Sequence, residues 1–112
     1  MAAWTELYID QGADFSYVIN LSDDLTNANI NVSNYIVRSQ MRRSYYSANA
    51  SANITCTISN ADNGEITISM NANTTANIKA GRYLFDVETL DPLGVKSRVL
   101  EGIITVTPEI TR

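Results

Sequence analysis

Apolar and polar side chains alternate with a period of two along most of this chain, the spacing of half-buried β-strands. Phe15, Tyr17, Ile19 and Leu21 fall on one face of a first clear strand, with Ser16 and Asn20 opposite and Val18 interrupting the pattern. Tyr35, Val37 and Met41 define another, with Arg38, Gln40 and Arg42 on its other face. Ile54, Cys56 and Ile58 alternate with Thr55, Thr57 and Ser59, and Ile66, Ile68 and Met70 alternate with Thr67 and Ser69. Tyr83, Phe85 and Val87 alternate with Leu84, Asp86 and Glu88. The run from Val95 to Val106 is apolar on both faces in places, which predicts a strand covered on both sides. A short strand around Leu7 to Ile9 brings the expected number to about seven.

The segments between these runs carry turn chemistry. Asp62-Asn63-Gly64 is suited to a tight hairpin, because Asn-Gly tolerates positive φ. Asp91-Pro92-Leu93-Gly94 has proline to preset φ and glycine to end a type I turn. Asn71 to Lys79 contains three Asn and two adjacent Thr. These disfavour a long helix but permit one helical turn in a crossing between sheets. The polar stretch around Asp23-Asp24 and the segment from Ser44 to Ala52 read as exposed loops, and Pro108 should end the last strand. Short strands separated by turn signals at roughly 8–12 residues predict an all-β domain. The expected fold is an immunoglobulin-like antiparallel β-sandwich of about seven strands, a single domain over residues 1–112.

Composition narrows what such a domain does. The chain has 112 residues and a net charge of −4, enough length to bury a core without a disulfide or metal. Arg38, Arg42 and Arg43 lie in one segment, but three arginines in a net-acidic domain do not make a phosphate-binding footprint, so no nucleic-acid partner is expected. No apolar stretch has the length of a membrane span and no signal peptide is visible, so no membrane partner is expected either. The single cysteine, Cys56, sits in an alternating apolar run and suits a core position.

Catalytic chemistry finds little support. There is no histidine to serve a nucleophile or ligate a metal, and the five glycines are scattered rather than gathered in a phosphate loop. Asp23 and Asp24 read as a solvated turn rather than a calcium loop. Asp86 and Glu88 share a strand face, with Arg82 and Arg98 as cross-strand partners. No enzymatic activity and no cofactor are expected. The candidate protein-interaction residues are Trp4, Arg42, Arg43, Tyr45 and Tyr46, because Trp, Tyr and Arg are enriched where proteins meet. Trp4 reads either as a plug for one end of the sandwich or as a contact for a partner.

Five segments in order carry a family resemblance: Gln11-Gly12-Ala13-Asp14-Phe15; Val37-Arg38-Ser39-Gln40-Met41-Arg42; Asn63-Gly64-Glu65-Ile66-Thr67-Ile68-Ser69; Ala80-Gly81-Arg82-Tyr83-Leu84-Phe85-Asp86-Val87; and Val99-Leu100-Glu101-Gly102-Ile103-Ile104-Thr105-Val106. This arrangement resembles the small β-sandwich structural proteins of tailed bacteriophages. These include the amino-terminal domain of baseplate upper proteins and short standalone proteins of myophages, cyanophages among them. The resemblance implies a fold and a virion setting rather than active-site residues. Its members of the baseplate type serve as attachment modules in rings or trimers, so the expected partners are other virion proteins or further copies of the chain. A tail, baseplate or fibre-attachment connector is the leading expectation. A capsid decoration (cement) protein and a receptor- or carbohydrate-binding module are the alternatives. Exposed strand edges or the Tyr45-Tyr46 loop are the expected contact points.

Overall fold

The computed structural model describes residues 3–21, 30–44, 47 and 51–110. Seven strands form: β1 (Ala3–Asp10), β2 (Phe15–Asn20), β3 (Ile36–Arg42), β4 (Ala52–Asn60), β5 (Glu65–Met70), β6 (Gly81–Leu90) and β7 (Lys96–Thr107). One short helix, α1 (Ala72–Ala76), separates β5 from β6. Neighbouring strands follow the order β1-β7-β6-β3-β4-β5-β2. β4 belongs to both layers of the sandwich. Its residues Ala52 to Ile54 pair with β3, and from Thr55 to Asn60 it pairs with β5. One layer therefore holds β1, β7, β6, β3 and the start of β4. The other holds the rest of β4, β5 and β2.

The alternating residues face one another between these layers. Ile66, Ile68 and Ile19 come from one side, and Met41, Phe85, Val87 and Ile104 from the other, all buried. Tyr83 is buried at the start of β6, and its hydroxyl donates to the Lys79 carbonyl at 2.5 Å. This is the tyrosine corner of immunoglobulin-type sandwiches. In antibody domains an inter-sheet cysteine follows two residues later; here Phe85 fills that place with a buried ring. The pairing order and this corner make the domain an immunoglobulin-like sandwich.

Several local features depart from simple alternation, among them a register shift between β4 and β5 at Ile58 and Asn60. The β1–β7 pair is parallel, while the other five pairings are antiparallel. β1 is also longer than Leu7 to Ile9, and it takes in Trp4. A bulge lies in β7: Val87 is opposite Leu100 but Glu88 is opposite Arg98, leaving Val99 as the extra residue. A bulge reverses the in–out order beyond it. It therefore turns Arg98 to solvent while Leu100 stays buried. The Asp62-Asn63-Gly64 segment forms a four-residue turn instead of a two-residue hairpin. Gly64 alone there has positive φ, and its backbone lies beneath the Leu21 and Ile30 carbonyls.

The crossing between layers is fastened at one point. Asn71 caps α1, its side chain accepting from the Thr74 amide at 2.8 Å. The fully buried Thr75 hydroxyl donates to the Ala13 carbonyl at 2.7 Å and accepts from the Gly12 amide at 3.1 Å. One side chain thus ties α1 to the β1–β2 turn. Gly102 in β7 is the tightest backbone approach. A Cβ there would stand 1.7 Å from the Thr5 carbonyl oxygen, so β1 can seat only against glycine.

Candidate protein-interaction face

The strand registers set out the solvent face of the five-strand layer row by row. Tyr8, Thr105 and Arg82 form one row across β1, β7 and β6. Glu6, Ile103, Leu84 and Arg42 form the next, reaching β3. Trp4, Glu101, Asp86 and Gln40 follow, then Arg98, Glu88 and Arg38. Trp4 and Tyr8 are 55% and 66% exposed, which rules out Trp4 as a plug for the sandwich. They stand four residues apart on one strand, about 13 Å, with the half-buried Ile103 and Leu84 beside them. The result is an apolar and aromatic side at β1 and a polar side towards β3.

The polar side is internally bonded. Arg98 reaches Asp86 at 3.3 Å and Glu101 at 3.1 Å, and Lys96 reaches Glu88 at 3.5 Å. Arg82 lies opposite Thr105, away from these carboxylates. Burial raises the Asp86 carboxyl above its usual value, and the neighbouring Glu88 adds to the effect while Arg98 opposes it. Gln40, Arg42, Asp86, Arg98 and Glu101 line a shallow depression of about 270 Å³. Charges of both signs are mixed across the face: Glu6 on β1, Arg98 and Glu101 on β7, Arg82, Asp86 and Glu88 on β6, and Arg38 and Arg42 on β3.

The expected interaction residues separate in the fold. Trp4 is on the exposed face. Arg42 is on the same face, its guanidinium donating to the Ser47 carbonyl and the Gln40 side chain, both at 3.0 Å. Arg43 lies 4.5 Å from the centroid of the Tyr83 ring and packs over Gly81, so it covers the tyrosine corner. Tyr45, Tyr46 and the Asp23-Asp24 pair lie outside the described residues. Tyr8 was absent from the sequence-based set, although Trp4, Glu6 and Tyr8 share the period-two spacing that marks one strand face. Leu93, Val95 and Ile36 are also exposed, at the β6–β7 turn and the start of β3. Cys56 is half-buried against the core, and burial pushes its thiol up to about 11. Among the described residues no group of three His, Cys, Asp or Glu side chains is placed to hold a metal. No helix among them is long and apolar enough to cross a membrane.

No family model matches the chain, and no curated protein matches it. Among solved structures it is similar to murine CRIg at 11% sequence identity, over 93% of this chain and 92% of that one, with a TM-score of 0.42.

Proposed function

We propose that this domain is a structural attachment module of a tailed-phage particle, acting through protein–protein contacts without catalysis. The observation that carries the binding part is the solvent face of the five-strand layer, where Trp4 and Tyr8 stand exposed beside Ile103 and Leu84. Contiguous exposed apolar patches mark sites of interaction, and these four side chains lie on neighbouring rows of one face. The virion setting rests on the resemblance carried by the Gly81-Arg82-Tyr83 and Leu100-Glu101-Gly102 segments. Both of their glycines have structural tasks: Arg43 packs on Gly81, and β1 packs on Gly102. A connector of tail, baseplate or fibre fits a domain that carries aromatic and charged side chains together on one exposed face.

Quantitative mass spectrometry of purified particles tests the proposal. The expected result is this chain at a fixed copy number, released together with tail components when particles are dissociated. Its absence from purified particles would overturn the virion reading, and release with the capsid shell would favour a decoration role.

A further inference from the structure

We infer that β1 is an acceptor edge that takes an extended segment of a partner protein as an added strand, and that this segment carries lysine or arginine alternating with apolar residues. The inference deepens the attachment reading by naming the edge and the partner's chemistry.

The first ground is the direction of the β1 main chain. The Gln11 amide donates to the Thr107 carbonyl at 3.0 Å, and the Thr107 hydroxyl reaches the Ile9 carbonyl. Peptide groups of successive residues in a strand point to opposite sides. The odd-numbered residues Thr5, Leu7 and Ile9 therefore bond to β7, and the even-numbered Trp4, Glu6 and Tyr8 direct N–H and C=O away from it. Among the described residues no strand pairs with that side. The second ground is that β1 lacks most of the usual protections. Natural edges are blunted by proline, by charged side chains (lysine above all), by bulges or by short length, and of these β1 has only the carboxylates of Glu6 and Asp10. β1 runs eight residues in unbroken register with neither proline nor lysine. β2, an edge of the other layer, is six residues long.

Charge selects the occupant. β1 carries Glu6 and Asp10 and no cation, and Glu101 flanks it on β7. A second copy paired through the same edge would bring two Glu6 and two Asp10 carboxylates onto shared faces with no opposing charge on either strand. A segment with basic residues on the solvent side answers Glu6 and lies beside Trp4 and Tyr8, where cation–π contact is available. Its alternate residues turn towards Leu7 and Ile9 at the margin of the core, which favours apolar side chains there.

The test is amide exchange by NMR on the whole chain, with a capped peptide of alternating lysine and valine as probe and a glutamate–valine peptide as control. In the free chain the amides of Leu7 and Ile9 are expected to exchange slowly and those of Glu6 and Tyr8 quickly. The basic peptide should slow Glu6 and Tyr8 about ten-fold or more, and the acidic peptide should leave them unchanged. Glu6→Pro removes an outward-facing donor and the Glu6 carboxylate but no donor to β7, so it should abolish peptide binding while Leu7 and Ile9 stay protected. Glu6→Lys should weaken the basic peptide and admit the acidic one. Unchanged exchange with the basic peptide, or equal slowing by both peptides, would overturn the inference. So would protection of Glu6 and Tyr8 in a concentration-dependent dimer without peptide. A chain missing from virions that still passes this test would sink the virion reading alone.

Discussion

Gly102→Ala should strip β1 from the sandwich. In an open strand position this change stabilises by about 0.5–1 kcal/mol, because alanine has less backbone freedom to lose. Here the new methyl would lie 1.7 Å from the Thr5 oxygen, and ordinary contacts begin at 3.4 Å. The obstacle is main chain on both sides, so no side chain can rotate out of the way. β1 must retreat by about as much as the shortfall, which stretches its hydrogen bonds to β7 beyond the bonding range. Leu7 and Ile9 are the buried residues at stake, each contributing about 1.5–3 kcal/mol when fully buried. A loss of about 3 kcal/mol or more is expected, a large part of a typical domain's stability. At about 4–8 °C per kcal/mol for a domain near this size, the midpoint should fall by at least about 10 °C. Urea unfolding would give the energy, and exchange of the Leu7 and Ile9 amides would show whether β1 is the part released. A variant within about 0.5 kcal/mol of the parent, with those amides still protected, would refute the reasoning.

Thr75→Val keeps the shape but strands the Gly12 amide and the Ala13 carbonyl, so a loss of about 1–3 kcal/mol is expected in denaturant unfolding. Cys56, with its thiol near 11, should react with iodoacetamide about 100-fold more slowly at pH 8 than a thiol at its ordinary value. Its alkylation rate should keep climbing towards pH 11 rather than level off near pH 9. For Asp86 the fold favours the protonated form, so that contribution is present below the usual carboxylate range and lost as pH rises through the elevated value. Asp86→Asn should therefore leave the urea midpoint unchanged or higher at pH 7, with any gain shrinking as the pH is lowered. A clear loss at pH 7 would show that the Arg98 pair outweighs burial.

Alternation located six strands closely because each buries one face, and burial is what a period of two records. The run of Asn and Thr before Gly81 argued against a long helix and allowed the single helical turn that forms there. What alternation cannot register is which strands lie side by side. β4 reads as one ordinary strand, yet it serves two layers, and β1 reads as a short fragment because only Leu7 and Ile9 are buried in it. The β7 bulge is hidden for a related reason. Arg98 and Leu100 have the same parity, and only the extra residue Val99 sends them to opposite faces. Of the candidate site, Trp4 was legible as either a plug or a contact, and only its exposure in the fold decides between them. Arg43 was not legible as a structural cation, since its partner Tyr83 lies forty residues on.

The parallel β1–β7 pair also fixes an order of events during synthesis. Asp10 and its hydrogen-bonded neighbour Thr107 are 97 residues apart. At ribosomal speeds, about 5–20 s separate the emergence of the two strands. β2 to β6 pair among themselves and can condense in that interval. β1, the domain's earliest strand to leave the ribosome, is the last to find its seat, and until then Leu7 and Ile9 remain open to chaperones.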